Sequence, residues 1–288
     1  MRARKPKNID QKLQIYRSWI VDDPRSLKGC WSQSRNMSGA RVKLDIGCGK
    51  GSFAIVTAQL DRDSLIVGID TEPICIAMAA RHAHDAGVDN AAFAIAAAEE
   101  LPDAFAPGEL DTNYLNFSTP MPKAKCADRR LTYADNLLRY RELLSPDGRI
   151  LMKTDSRPLF EWSLGQFELA GYEVRWQTAD AHADGLAGVT SDVERKLLGK
   201  GAKVSALEAV PDGRPASAIA PNGHIEQNGP MSLVDFLPDD LESMTYVPYG
   251  MESTVENMIN RRKNAVRREA IAAAKARKQE QDTQAPQI

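Results

Sequence analysis

The chain has 288 residues, 43% of them hydrophobic, and a formal net charge of −2. That length suits one large domain, or one domain with a tail, with enough apolar content for a sizeable core. A global basic field is excluded, so any nucleic-acid surface must be a local patch. Cys30, Cys48, Cys75 and Cys126 form no C-x-x-C pair. A zinc ribbon or redox motif is therefore not expected, and the pattern fits a reducing, cytoplasmic compartment. No apolar run approaches the roughly 18 residues of a membrane span. The basic start "MRARKPKNIDQKL" lacks the apolar core of a signal peptide.

Residues 1–40 read as a basic N-terminal extension, with a short amphipathic helix over "NIDQKLQIYRSWIVDD" stopped by Pro24. Alternation follows. "RVKLDIG" (41–47) predicts a strand and "SFAIVTAQL" a helix; "SLIVGID" (64–70) is a second strand. The helix over 73–87 has Pro73 near its start and Gly87 past its end. "NAAFAIA" and "LDTNYLNF" (110–117) are the third and fourth strands, and a helix spans 133–144. "GRILMKTD" (148–155), a helix over 158–171, "YEVRWQT" (172–178) and "KVSALEA" (203–209) complete the series. Such alternation predicts a doubly wound α/β domain over 41–210 with a mostly parallel sheet. Beyond it, residues 211–288 read as a Pro- and Gly-rich linker followed by a basic helical tail. "SLVDFLPDDLESM" is expected to dock only weakly.

"LDIGCGKG" places Asp45, Gly47, Gly49 and Gly51 at the end of the first strand. Glycines allow a tight turn into the next helix and close approach of a ligand. A nicotinamide fingerprint fails, because Ser52 stands where its third glycine belongs, and the spacing around Lys50 is wrong for a P-loop. The acidic-x-G-x-G pattern of methyltransferases using S-adenosyl-L-methionine fits. That donor carries a sulfonium and an ammonium, so an acid beside the glycines makes electrostatic sense. Asp70 closes the second strand, where an acid can accept both ribose hydroxyls. A glycine turn of another α/β protein is the alternative.

A second motif, "NFSTPMPK", follows the fourth strand and runs into Arg129, Arg130, Leu131 and Thr132. With "RARK", "KGCW", Lys153-Thr154-Asp155 and the segment Ser191 to Glu194, it resembles the bacterial tRNA (guanine-N7-)-methyltransferases over about residues 1–208. The resemblance implies a class I methyltransferase fold, S-adenosyl-L-methionine as methyl donor and tRNA as partner, with neither metal nor membrane. It assigns Asp45, Gly47, Gly49, Asp70, Ala97 and Asn116 to the donor. Lys123, Asp155, Ser191, Asp192, Val193 and Glu194 would face the guanine, while Arg129 and Arg130 would contact RNA. Thr119 occupies the place of the family's catalytic aspartate, Met121 that of a tryptophan, and Ala97 that of an adenine-side acid.

Guanine N7 carries a lone pair and no proton, so methylation needs no general base. A hydroxyl at 119 can hydrogen-bond but cannot balance the charge formed on the base. The expected activity is methyl transfer to N7 of a tRNA guanine, in the variable loop by resemblance. The alternatives are a weakened or inactive tRNA-binding paralogue and a methyltransferase for a smaller substrate. His82 and His84 share no helix face and are expected to be exposed. The tail helix over 254–279 reads equally as an RNA-gripping arm or a solvated helix.

Overall fold

The computed structural model describes residues 15–217 and 219–283. Its centre is an eight-stranded sheet: β1 (Ile20–Val21), β2 (Arg41–Ile46), β3 (Ser64–Asp70), β4 (Ala91–Ile95), β5 (Leu110–Asn116), β6 (Leu144–Thr154), β7 (Tyr172–Thr178) and β8 (Ser205–Pro211). The spatial order is β1-β4-β3-β2-β5-β6-β8-β7, and β8 alone runs antiparallel to its neighbours. Apolar runs such as Leu65–Ile69 are buried because helices cover both faces. The strand order reverses between β2 and β5, the position where open α/β sheets leave a ligand crevice at the strands' C-terminal ends.

The helices start where local chemistry favours it. α1 (Ser52–Leu60) leaves the glycine turn. α2 (Pro73–Asp85) opens on its proline, whose fixed φ suits the first helical position. The short α3 (Leu101–Ala104) and α4 (Ala134–Leu143) flank β5 in sequence. α5 (Arg157–Leu169) is capped by Ser156, whose hydroxyl accepts from Leu159 N at 3.3 Å. α6 is Asp192–Leu198 and α7 is Glu252–Thr283. Among the described residues, no helix is long and apolar enough to cross a membrane.

Two expectations need correction. Of the amphipathic helix expected over 8–23, residues 8–14 lie outside the described residues; Ile15 is helical, and the helix does not continue beyond it. Arg17–Trp19 form a single 3₁₀ turn, and Ile20–Val21 pair in parallel with Phe93–Ala94 as the sheet's edge. Trp19 anchors this entry by donating Nε1–H to Val88 O at 2.7 Å and meeting His84 edge-on. Tertiary contacts of one indole thus override a weak helical period.

The stretch after 210 is not a free linker. Asp135 on α4 accepts from Ile225 N at 2.8 Å and pairs with His224 at 2.6 Å. Leu233 is fully buried, in a 3₁₀ turn (Leu233–Phe236) packed on α5. Ile225, Leu241, Met251 and Val255 are buried as well. From 260 to 274, by contrast, every residue of α7 is exposed.

Truncation therefore has two different outcomes. Ending the chain after residue 259 should leave the melting temperature within a few degrees. Ending it after 210 removes five buried side chains, each contributing about 1.5–3 kcal/mol, and thermal unfolding should show severe destabilisation or no cooperative transition.

Candidate active site

Register brings the candidate residues to one edge. Parallel pairing sets Asp45 beside Gly68 and Tyr114, and Asn116 beside Lys153, so Asp45, Asp70, Asn116 and Lys153 end adjacent strands on the same side. The turn after β2 is stitched to β3 by Gly47 N and Cys48 N, which donate to Ile69 O at 2.9 and 2.8 Å. Gly49 N donates to Asp70 Oδ2 at 3.0 Å, and Glu72 N to Asp70 Oδ1 at 2.9 Å. Gly51 has φ +77°, and a Cβ there would lie 2.7 Å from that of Ala79. Only glycine fits where α1 passes α2 this closely.

Asp45 is 2% exposed. Burial pushes its carboxyl up to about 7, partly offset by the Asn116 amide 3.5 Å away, with Asp70 adding a small upward push. No cation features among the groups acting on it. A buried acid in this condition is poised for a cationic ligand. Cys48, inside the turn, has its thiol pushed up by burial, which disfavours the thiolate. His82 is half-buried rather than exposed, with Nδ1 2.9 Å from Lys50 O.

A cavity of about 480 Å³ opens at this edge. Gly47, Asp70 and Ala97 line one side; Phe117, Ser118, Thr119, Met121 and Arg129 line the other. Ala97 presents only a methyl, and its N–H is taken by Glu100 Oε2 at 2.8 Å. Thr119 is exposed at the rim, as is Lys123 further along the loop. Phe117 and Met121 adopt φ +50° and +49°, a left-handed backbone that is uncommon for such side chains.

Arg130 holds the backbone at Met121, and the expectation that it contacts RNA is corrected. It is 1% exposed. Its Nε donates to Pro120 O at 3.1 Å, its Nη2 to Met121 O at 2.8 Å and Met231 O at 2.9 Å, and its guanidinium lies 4.2 Å from the Trp162 ring centroid. Arg129 is exposed and lines the cavity.

The segment Ser191 to Glu194 starts α6 beside the glycine turn, where Asp192 N donates to Ser52 Oγ at 3.3 Å. Ser191 and Glu194 form a reciprocal capping box. Both are buried, and Glu194 is spent within the protein: it takes Lys153 Nζ at 2.9 Å and His182 Nε2 at 2.9 Å. Direct substrate contact by Ser191 and Glu194 is therefore corrected to a supporting place. Asp192 pairs with Arg195, and Val193 is exposed. Burial lowers the Lys153 ammonium's pKa, and the Glu194 carboxylate opposes that. Asp155 is also not open: its Oδ2 accepts from Tyr246 OH at 2.5 Å and from Tyr249 N at 2.8 Å. His182 and the two tyrosines escaped the sequence reading. The only signal was the aromatic pair in "TYVPYG", set in a segment rich in turn residues.

The donor set fits S-adenosylmethionine on this geometry: a buried acid without a cation, a second acid at the neighbouring strand end, and a cavity lined by that second acid and the loop. A family model described as "Putative methyltransferase" matches residues 40–207. The tRNA (guanine-N(7)-)-methyltransferase of Streptococcus suis (strain 05ZYH33) is 35% identical over 210 residues, 73% of this chain and 99% of the relative. That of Lactococcus lactis subsp. cremoris (strain SK11) is 34% identical over 212 residues, covering 73% and 97%. Among solved structures, the 16S rRNA methyltransferase KamB matches with a TM-score of 0.50 at 18% identity, over 64% of this chain and 93% of that one, which speaks to the fold alone. A domain that carries the methyltransferase sheet and glycine turn, and that matches these relatives along almost their whole length, belongs to the tRNA (guanine-N7-)-methyltransferase family.

Proposed function

We propose that this protein transfers a methyl group from S-adenosylmethionine to N7 of a guanine in tRNA, the variable-loop guanine by family resemblance. The observation that carries the reading is the single cavity bordered by the donor-side residues Gly47 and Asp70 and by the loop residues Thr119 and Arg129. When bound, the donor supplies an electrophilic methyl on sulfonium, whose carbon–sulfur electron pair leaves with sulfur as N7 forms its bond.

The chain's own part is holding and orienting. Asp45 meets positive charge with an ionised carboxylate, Asp70 offers acceptors at the ribose side, and Asn116 steadies Asp45. The loop presents the base through a backbone fixed by Arg130. Orientation of two bound reactants supplies about 7–11 kcal/mol in favourable cases, so the reaction does not depend on a base. Thr119 at the rim gives a hydroxyl where a carboxylate would offset charge building on the purine. This supports a slow enzyme over an inactive one. Incubation with bulk tRNA and labelled donor, followed by nucleoside analysis, tests the reading: 7-methylguanosine supports it, and tRNA binding without it favours a non-catalytic paralogue.

Replacing Thr119 by Asp should raise turnover on the order of tenfold with donor affinity little changed. Extra tRNA affinity without extra rate would place the effect in the ground state.

Donor binding should depend on pH through Asp45. Its folded value of about 7 lies above the ordinary 3.8, so below pH 7 the free site holds a proton that a cationic ligand must expel. Affinity should therefore increase with pH up to about 7 and flatten above it, by calorimetric titration. In Asp45→Asn the affinity should be weaker and the slope gone.

The two arginines should separate. Arg129→Ala should reduce the slope of log affinity for tRNA against log salt by about one, with stability unchanged. Arg130→Lys should lower stability by roughly 1.5–3 kcal/mol, because an ammonium cannot reach all three carbonyls.

A further inference from the structure

The family model ends at residue 207, yet part of the chain beyond it lies against the loop. Leu233 N donates to Pro122 O at 3.0 Å, and Met231 O accepts from Arg130. Gly250 packs so closely that a Cβ would sit 3.2 Å from Pro120 Cδ. Tyr246 OH and Tyr249 N share Asp155 Oδ2, and Ser156 Oγ donates to the sulfur of the fully buried Met251. This strap is therefore a fixed wall, tied down on both sides of Tyr249.

Tyr249 itself is different. Its backbone is tethered to Asp155, but the residue is 57% exposed. Its neighbour Gly250 touches Pro120, which stands between the cavity-lining Thr119 and Met121. The loop lines the cavity with Phe117 and Met121, and beside the loop the strap adds the exposed ring of Tyr249. An exposed aromatic ring on a tethered backbone suits base stacking, which is tolerant of backbone path and needs no charge.

Resting on the function proposed above, we infer that Tyr249 is a base-stacking residue that fixes the target guanine beside the loop. Asp155 acts on the base through the strap: it is a positioning residue, holding Tyr246 and Tyr249 rather than the guanine. The substrate wall of this enzyme is then built partly from residues outside the family's own domain.

The test compares wild type, Tyr249→Phe and Tyr249→Ala in steady-state methylation of tRNA, with melting temperature and binding of the demethylated donor measured alongside. Tyr249→Ala should raise KM for tRNA on the order of tenfold or more, while product binding and melting temperature stay at wild-type values. Tyr249→Phe keeps the ring and should stay close to wild type. An alanine variant with wild-type KM overturns the inference, as does a phenylalanine variant as impaired as alanine, or an alanine variant with higher kcat/KM, which would make the strap a blockade. A wild type that makes no 7-methylguanosine overturns the parent reading and this inference with it. An active wild type with an unimpaired alanine variant overturns this inference alone.

Discussion

The guanidinium of Arg130 joins three parts of the molecule that sequence keeps apart. It sits over Trp162 of α5, and its N–H groups reach carbonyls of the loop at Pro120 and Met121 and of the strap at Met231. Burial pushes its pKa down to about 10, so it stays charged near neutrality. A buried cation without an acid is costly, and it is tolerated here because carbonyl dipoles and an aromatic face replace its water. The strap's position and the left-handed backbone at Met121 depend on that replacement.

The donor side shows the opposite economy. Asp45 is left short of a partner, while Asp70 is satisfied by two backbone N–H groups. One acid is prepared for a positive ligand and the other is already oriented. Beside them, the Lys153–Glu194–His182 cluster closes on itself: Lys153 and Glu194 are largely withdrawn from water, and the capping box adds Ser191 N to the carboxylate oxygen Oε2 that Lys153 also holds. Such a cluster is strongly destabilised by loss of a single member, because the others are left buried and unpaired. It fixes α6 against the strand ends and leaves Asp192 and Val193 as the accessible face of that segment.

The sheet and its helices were legible because each is periodic or bounded by a turn signal. Pro73 and Gly87 frame one helix, and uninterrupted apolar runs mark the buried strands. The glycine turn was legible for the same local reason. What escaped has no period. Ile225, Leu233, Leu241 and Met251 are single anchors among turn residues, so their segment reads as a linker although each is buried. Nor does spacing along the chain separate Arg129 from Arg130; burial alone makes one a rim residue and the other a support. Motif matching assigns charged residues to ligands, and it cannot see that Asp155 and Glu194 are already occupied by their own chain.

Gly250 has an evolutionary consequence. Its φ is +84°, and Pro120 stands within contact of where a side chain would begin. The strap and the loop therefore constrain each other's substitutions: bulk added on one side must be relieved on the other. A loop transplanted from a relative without such a strap would meet a surface it was never selected against. Substitutions at Pro120 and at Gly250 should therefore be non-additive, because each sets the space left to the other.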